Sequence, residues 1–98
     1  MRQVCIERVK TGECVNLNRP VFKIGKDETF ADFAVADNRT VSRRHAEIFC
    51  REGQWFLCDL GSKNGTYVNK KRVMKDIETR LSDGDEIAFS NERFIFHL

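Results

Sequence analysis

Short apolar runs recur along the whole chain, separated by clusters of Gly, Asn, Asp and Ser. The runs VCIERV, ECVNL, VFKIG, FAVA, AEIFC, WFLCDL, TYVN, EIAFS and RFIFHL predict strands, and no segment carries a convincing helical period. Alternation assigns their faces: Phe94, Phe96 and Leu98 share one side of RFIFHL, and Ile87 and Phe89 share one side of EIAFS. KTG (10–12) predicts a hairpin turn, REGQ (51–54) a second, and SDGD (82–85) a third turn in which Gly84 is free to take positive φ. Pro20, the only proline, precedes a strand, where it removes no ladder bond. Many short strands with frequent turn signals predict an all-β sandwich or barrel.

Ninety-eight residues make one small domain with room for one core. The composition is globular, with 41% hydrophobic and 33% charged residues. No apolar run approaches the ~20 residues of a membrane span. The start, MRQVCIERVK, lacks the apolar stretch of a signal peptide, so an intracellular, cytoplasmic location is expected. The chain ends on an apolar strand without a tail, as expected of one domain, 1–98, excised from a longer protein.

The net charge of +2, from 17 basic and 15 acidic residues, is too small for a general nucleic-acid binder. Its distribution is more informative. Residues 39–44 hold three arginines and no acid, and residues 63–75 hold Lys63, Lys70, Lys71, Arg72 and Lys75 with no acid. Charge runs of this kind are ordinarily solvated faces. Cys5, Cys14, Cys50 and Cys58 form no C-x-x-C pair, which argues against a metal site and for four reduced thiols, with a disulfide framework as the alternative.

Three stretches carry candidate chemistry. RTVSRRHAEIF (39–49) places Ser42 and His45 beside two arginines, and with Asp59 these supply the side-chain types of a hydrolytic triad. The nucleophile elbow G-x-S-x-G is absent, and Ser and His three apart at a loop-strand junction are common by chance. DLGSKNGTYVN (59–69) crowds turn formers together. Asn64-Gly65 alone suits a plain hairpin, whereas the surplus of hydroxyls and amides suits a loop that aims N–H groups at an anion. FKIGKDETF (22–30) places Gly25 and Lys26 after a strand, where a lone glycine normally marks a bend. Trp55 offers a stacking surface for single-stranded nucleic acid, but its place in the alternating run QWFLCDL favours packing within the fold.

Gly25-Lys26, then Ser42-Arg43-Arg44-His45, then Ser62-Lys63-Asn64-Gly65-Thr66 resemble, in that order, the motifs of the forkhead-associated (FHA) domain. HAEIF, WFLCDL and LSDGDEIAF also look like that family's strands and late turn, so the resemblance covers nearly the whole chain. It implies a sandwich of two twisted sheets with about eleven strands, and ligand loops at one end that bind phosphothreonine. It implies that Lys26, Ser42, Arg43, Lys63 and Asn64 bind the ligand: Ser42 donates to phosphate, the Lys63 main-chain N–H faces it, and Asn64 holds the peptide main chain. It implies that Gly25, His45, Gly65 and Thr66 support the site, with Gly25 turning the chain so that Lys26 points at the ligand and His45 bracing the loop behind. Arg44 is expected to point away, toward solvent or an acidic partner, and Thr40 to add no acidic preference.

The residue types suit that task. A phosphothreonine carries about −1.5 to −2 charges, and cations and oriented donors meet it with charge-assisted hydrogen bonds. Lys26 departs from the family's usual arginine and cannot fork around two oxygens. The expected function is a non-enzymatic module without cofactor, metal, membrane or nucleic-acid ligand. Its partner is a Thr-phosphorylated protein or peptide, either a Ser/Thr kinase substrate or a phosphothreonine in the same chain. The alternative is a phosphate-independent interaction or structural domain that keeps the FHA fold.

Overall fold

The computed structural model describes residues 3–98. Eleven strands form two sheets, and no helix occurs among the described residues. In chain order they are β1 (Cys5–Arg8), β2 (Cys14–Asn16), β3 (Val21–Gly25), β4 (Phe33–Ala34), β5 (Ala46–Arg51) and β6 (Gln54–Asp59), then β7 (Thr66–Val68), β8 (Lys71–Arg72), β9 (Thr79–Arg80), β10 (Glu86–Phe89) and β11 (Glu92–His97). One sheet has the order β2-β1-β11-β10-β7-β8, and the other β4-β3-β5-β6-β9. The fold is therefore the all-β sandwich with about eleven strands that the sequence resemblance implied.

Alternation builds the core. Ile6, Ile87, Phe89, Phe94 and Phe96 point inward from the six-stranded sheet and are fully buried. Phe22, Ile24, Ala46, Ile48 and Leu57 face them from the five-stranded sheet. Trp55 is half-buried and packs on Phe96, with ring centroids 6.4 Å apart. Leu98 departs from its expected face: β11 ends at His97, and Leu98 is 43% exposed. FAVA shrinks to the two-residue β4, which pairs parallel with β3. The 51–54 turn joins β5 to β6 with Glu52 and Gly53 both at positive φ, the backbone of a type I′ hairpin. The stretch 60–65 is not a hairpin: β6 and β7 lie in different sheets, so this loop crosses from one to the other.

The buried polar side chains gather under two loops. Arg8, His45, Asp59, Ser62, Thr66 and Glu92 are each at most 9% exposed, and each hydrogen-bonds within or toward residues 37–38 or 61–66. A buried polar group left unpaired costs about 1–3 kcal/mol, and among the described residues no buried side-chain N or O lacks a partner. The loops are thus held by satisfied polar bonds at one end of an otherwise apolar core.

Candidate functional site

Three loops meet at an open cleft of about 500 Å³ lined by Lys26, Arg39, Thr40, Val41, Ser42, Arg43, Lys63 and Asn64. The end of β3 runs against the segment before β5. The Lys26 N–H donates to the Ser42 carbonyl at 3.0 Å, and the Asp27 N–H to the Arg43 carbonyl at 3.2 Å. A Cβ on Gly25 would lie 2.0 Å from the Arg43 oxygen, so only glycine permits this approach. This corrects the expected reason for Gly25. Its φ is not among the positive ones, and it is needed for closeness rather than for a turn.

His45 is fully buried and ties two of the loops together. Its Nδ1 accepts the Ser42 backbone N–H at 3.0 Å. That leaves Nε2 to carry the proton, and Nε2–H donates to the Gly65 carbonyl at 2.9 Å. Burial pulls the imidazole pKa below its ordinary value, against the opposing effects of the Gly65 bond and the Asp59 charge. A neutral ring with one donor and one acceptor is what these two partners require.

Asp59 organises the crossing loop. Its carboxylate accepts from the Gly61 and Ser62 N–H groups at 2.9 and 3.1 Å, and from the Ser62 and Thr66 hydroxyls at 2.6 and 2.7 Å. Burial works to raise its pKa, but the hydrogen bonds outweigh it and the carboxyl titrates below its usual range. Ser62 Oγ in turn accepts the Gly65 N–H at 3.0 Å. The triad does not assemble: the Ser42 amide, not its hydroxyl, bonds His45, and the Asp59 oxygens are engaged by the loop.

The Lys63 N–H donates to Ser42 Oγ at 3.0 Å. It therefore does not face outward, contrary to the expectation for that amide. The bond occupies an acceptor position on Ser42 and leaves the hydroxyl hydrogen free to donate into the cleft. Asn64 Nδ2 donates to the Thr40 carbonyl at 2.8 Å, which leaves a second N–H and the amide oxygen available. Arg43, Lys63 and Asn64 are exposed, whereas Ser42 and Lys26 are half-buried. Arg44 lies outside the cleft lining, where its guanidinium stacks over Phe30 with 5.4 Å to the ring centroid.

A second polar network fixes the 37–42 loop. Arg8 Nε donates to Glu92 at 2.9 Å and its Nη2 to Asp37 at 2.8 Å. Hydrogen bonding to Arg8 holds both carboxyls below their ordinary pKa. Asn38 Nδ2 donates to Glu92 at 3.0 Å, and Asn38 Oδ1 accepts from the Thr40 N–H and hydroxyl at 3.0 and 2.6 Å. Sequence reasoning missed Arg8, Asn38 and Glu92, and weighed Asp59 only as a triad member. One signal was present: Arg8 has the parity of Ile6, Glu92 that of Phe94, and Asp59 that of Leu57, so alternation points all three inward. Arg39, which also lines the cleft, was seen only as part of a basic run.

Comparison with known proteins places this geometry among relatives. The family model described as FHA domain matches residues 22–90. The chain is 39% identical over 80 residues to an oxoglutarate dehydrogenase inhibitor of Corynebacterium diphtheriae, covering 82% of this chain and 52% of that protein. It is 43% identical over 60 residues to the glycogen accumulation regulator GarA of Mycolicibacterium smegmatis, covering 61% of this chain and 36% of that protein. Among solved structures, an FHA domain studied for phosphothreonine-dependent interactions superposes with TM-score 0.87 at 33% identity, over 99% of this chain and 97% of that one. Mycobacterium tuberculosis EmbR in complex with a low-affinity phosphopeptide superposes with TM-score 0.90 at 27% identity, over 99% of this chain and 24% of that one. The chain thus spans about half or less of the length of these two sequence relatives.

Proposed function

The chain belongs to the FHA domain family, and on that premise we propose that its cleft is a phosphothreonine clamp within a regulatory protein-interaction module. The domain binds phosphothreonine peptides, and its partner is a Thr-phosphorylated protein. One observation carries the site assignment. Lys26, Ser42, Arg43, Lys63 and Asn64, supplied by three separate loops, line one open cleft while buried bonds hold the loops behind them. Lys26, Arg43 and Lys63 supply positive charge without fork geometry from the lysines. Ser42 adds a directed donor, because the Lys63 N–H already engages its oxygen. Asn64, steadied by Thr40, presents a free N–H and a carbonyl oxygen, the pair that an extended peptide main chain requires.

The module works by binding alone. His45 is held neutral with both nitrogens engaged, so it is not placed to take a proton from Ser42 or from water. The relatives named above, an inhibitor and a regulator, support a non-enzymatic role. Four free thiols support a reducing, cytoplasmic setting. The test is calorimetric titration with one peptide selected from a degenerate phosphothreonine library, prepared with and without its phosphate. Charge-assisted bonds contribute about 1.5–3 kcal/mol each, so binding is expected only for the phosphorylated form. Equal affinities would establish the phosphate-independent reading instead.

A further inference from the structure

The basic run at 63–75 extends well beyond the cleft. Lys70, Lys71, Arg72 and Lys75 are exposed, and among the described residues none has a carboxylate within 4.0 Å. Elsewhere among the described residues Arg8 has two, and Lys10, Arg19 and Arg51 have one each. Met74, inside the run, is 73% exposed, and Ile77, two residues beyond it and past the exposed acid Asp76, is 55% exposed. This segment is tied down: the Asp76 N–H donates to the Asp59 carbonyl at 3.0 Å, and the Ile77 N–H to the Met74 carbonyl at 3.2 Å.

This rim is continuous with the ligand loop. A groove of about 560 Å³ is lined by Asp59, Gly61 and Ser62 together with Arg72, Val73, Met74 and Lys75, and the Asp59 carboxylate in it is already engaged by donors of the crossing loop. The Lys75 stem covers Gly61, where a Cβ would lie 3.1 Å from Cε, and the Arg72 guanidinium covers Gly65, where a Cβ would lie 2.8 Å from Nε. Cations and apolar side chains therefore sit directly behind the loop that carries Lys63 and Asn64.

We propose that this rim is a second docking surface for an acidic segment bearing an apolar residue, in the same phosphoprotein that the cleft holds by its phosphothreonine. The proposal rests on the function given above. Charge complementarity selects the acidic partner. Met74, flexible and polarisable, adapts to varied apolar side chains. Single-stranded nucleic acid fits less well, because its bases need aromatic faces and none lines this groove. Once the phosphothreonine is held, the segment binds intramolecularly at an effective concentration of about millimolar. A segment whose own dissociation constant is about a tenth of that value raises the overall affinity about tenfold.

Two measurements test it. In the first, the phosphate-free peptide Asp-Glu-Asp-Leu-Glu-Asp, its Asn/Gln counterpart and an oligothymidylate of equal charge are titrated while the Met74 and Ile77 methyl resonances are followed. The acidic peptide is expected to move both methyls and the amide counterpart neither. An unmoved spectrum, or a stronger response to the oligonucleotide, overturns the proposal. In the second, a phosphothreonine peptide is extended by the acidic sequence through a Gly-Ser spacer at either end. One extension is expected to bind about tenfold tighter. That gain should vanish in Lys71→Glu combined with Met74→Ser, while the unextended peptide binds within twofold of wild type. A gain that survives in the double variant refutes the surface. If the unextended peptide fails to bind at all, the phosphothreonine reading is what falls, and the methyl shifts still decide for or against the rim.

Discussion

Gly25→Ala perturbs the molecule at the point where the site is assembled. The new Cβ would stand 2.0 Å from the Arg43 oxygen, and ordinary contact begins near 3.4 Å. The end of β3 and the 42–43 segment must therefore part by about 1.4 Å, because the obstacle is backbone and cannot swing aside. The bonds from Lys26 N–H to Ser42 O and from Asp27 N–H to Arg43 O, at 3.0 and 3.2 Å, do not survive such a shift. Each contributes about 1 kcal/mol, and overpacking adds about 1–3 kcal/mol, so a loss of about 3–5 kcal/mol is expected. For a domain of this size that lowers Tm by more than ~10 °C. The displacement also separates Lys26 from Ser42 and Arg43. Loss of one charge-assisted bond, about 1.5–3 kcal/mol, weakens the phosphopeptide at least tenfold. Urea denaturation gives the first quantity, and calorimetry well below the variant's Tm gives the second. Gly53→Asn is the control, since Gly53 has positive φ but open space around it. A Gly25→Ala protein within 0.5 kcal/mol of wild type and with unchanged affinity would refute the close-approach argument.

Ser42→Ala should weaken phosphopeptide binding at least tenfold while lowering Tm only slightly, because the exposed Lys63 N–H that Ser42 Oγ accepts can turn to water, whereas His45→Ala should lower both strongly by leaving the part-buried Ser42 amide and the buried Gly65 carbonyl unpaired; calorimetry beside thermal melts checks the split, and the reverse pattern exchanges the two roles. Glu92→Ala takes the buried carboxylate from Arg8 and Asn38 and leaves Arg8 only the exposed Asp37, so it should cost about 1–3 kcal/mol in urea denaturation; a change under about 0.5 kcal/mol would show that the buried pair does not hold the 37–42 loop. His45 has a folded pKa below the unfolded value of 6.5, so the unfolded chain takes the proton first; its stability contribution is complete above about pH 6.5 and is lost as pH falls through the folded pKa. Denaturation midpoints between pH 7.5 and 5.5 should therefore fall more steeply for wild type than for His45→Gln, and parallel curves would contradict the neutral-ring assignment. Phosphothreonine should bind at least tenfold tighter than phosphoserine in a matched peptide pair, since one buried methyl gives about 0.8 kcal/mol and the branched carbon loses less rotamer freedom; a ratio near one would mean that the cleft grips phosphate alone.

Most of the strands, and the neighbourhood of the site, were legible in the order of residues alone. VFKIG matches β3 residue for residue, and AEIFC and EIAFS fall within one residue of β5 and β10, because alternating burial is written directly in the order of apolar and polar side chains. Strands β8 and β9 escaped, because Lys71–Arg72 and Thr79–Arg80 are short and polar and pair only because neighbouring strands offer open edges. Motif order brought Lys26, Ser42, Arg43, Lys63 and Asn64 forward as candidates. Which atom of each faces the cleft emerged only in three dimensions. The Lys63 N–H turns to Ser42 Oγ, Gly25 serves a contact with a carbonyl eighteen residues away, and Asp59 acts through the loop that follows it. The partners of Arg8, Asp37 and Glu92, lie 29 and 84 positions away in the chain. Side-chain alternation is a property of neighbouring residues and can be read locally. Hydrogen-bond satisfaction inside a core depends on which distant groups the packed sheets bring within 3 Å of one another, and that is settled only when the sandwich closes.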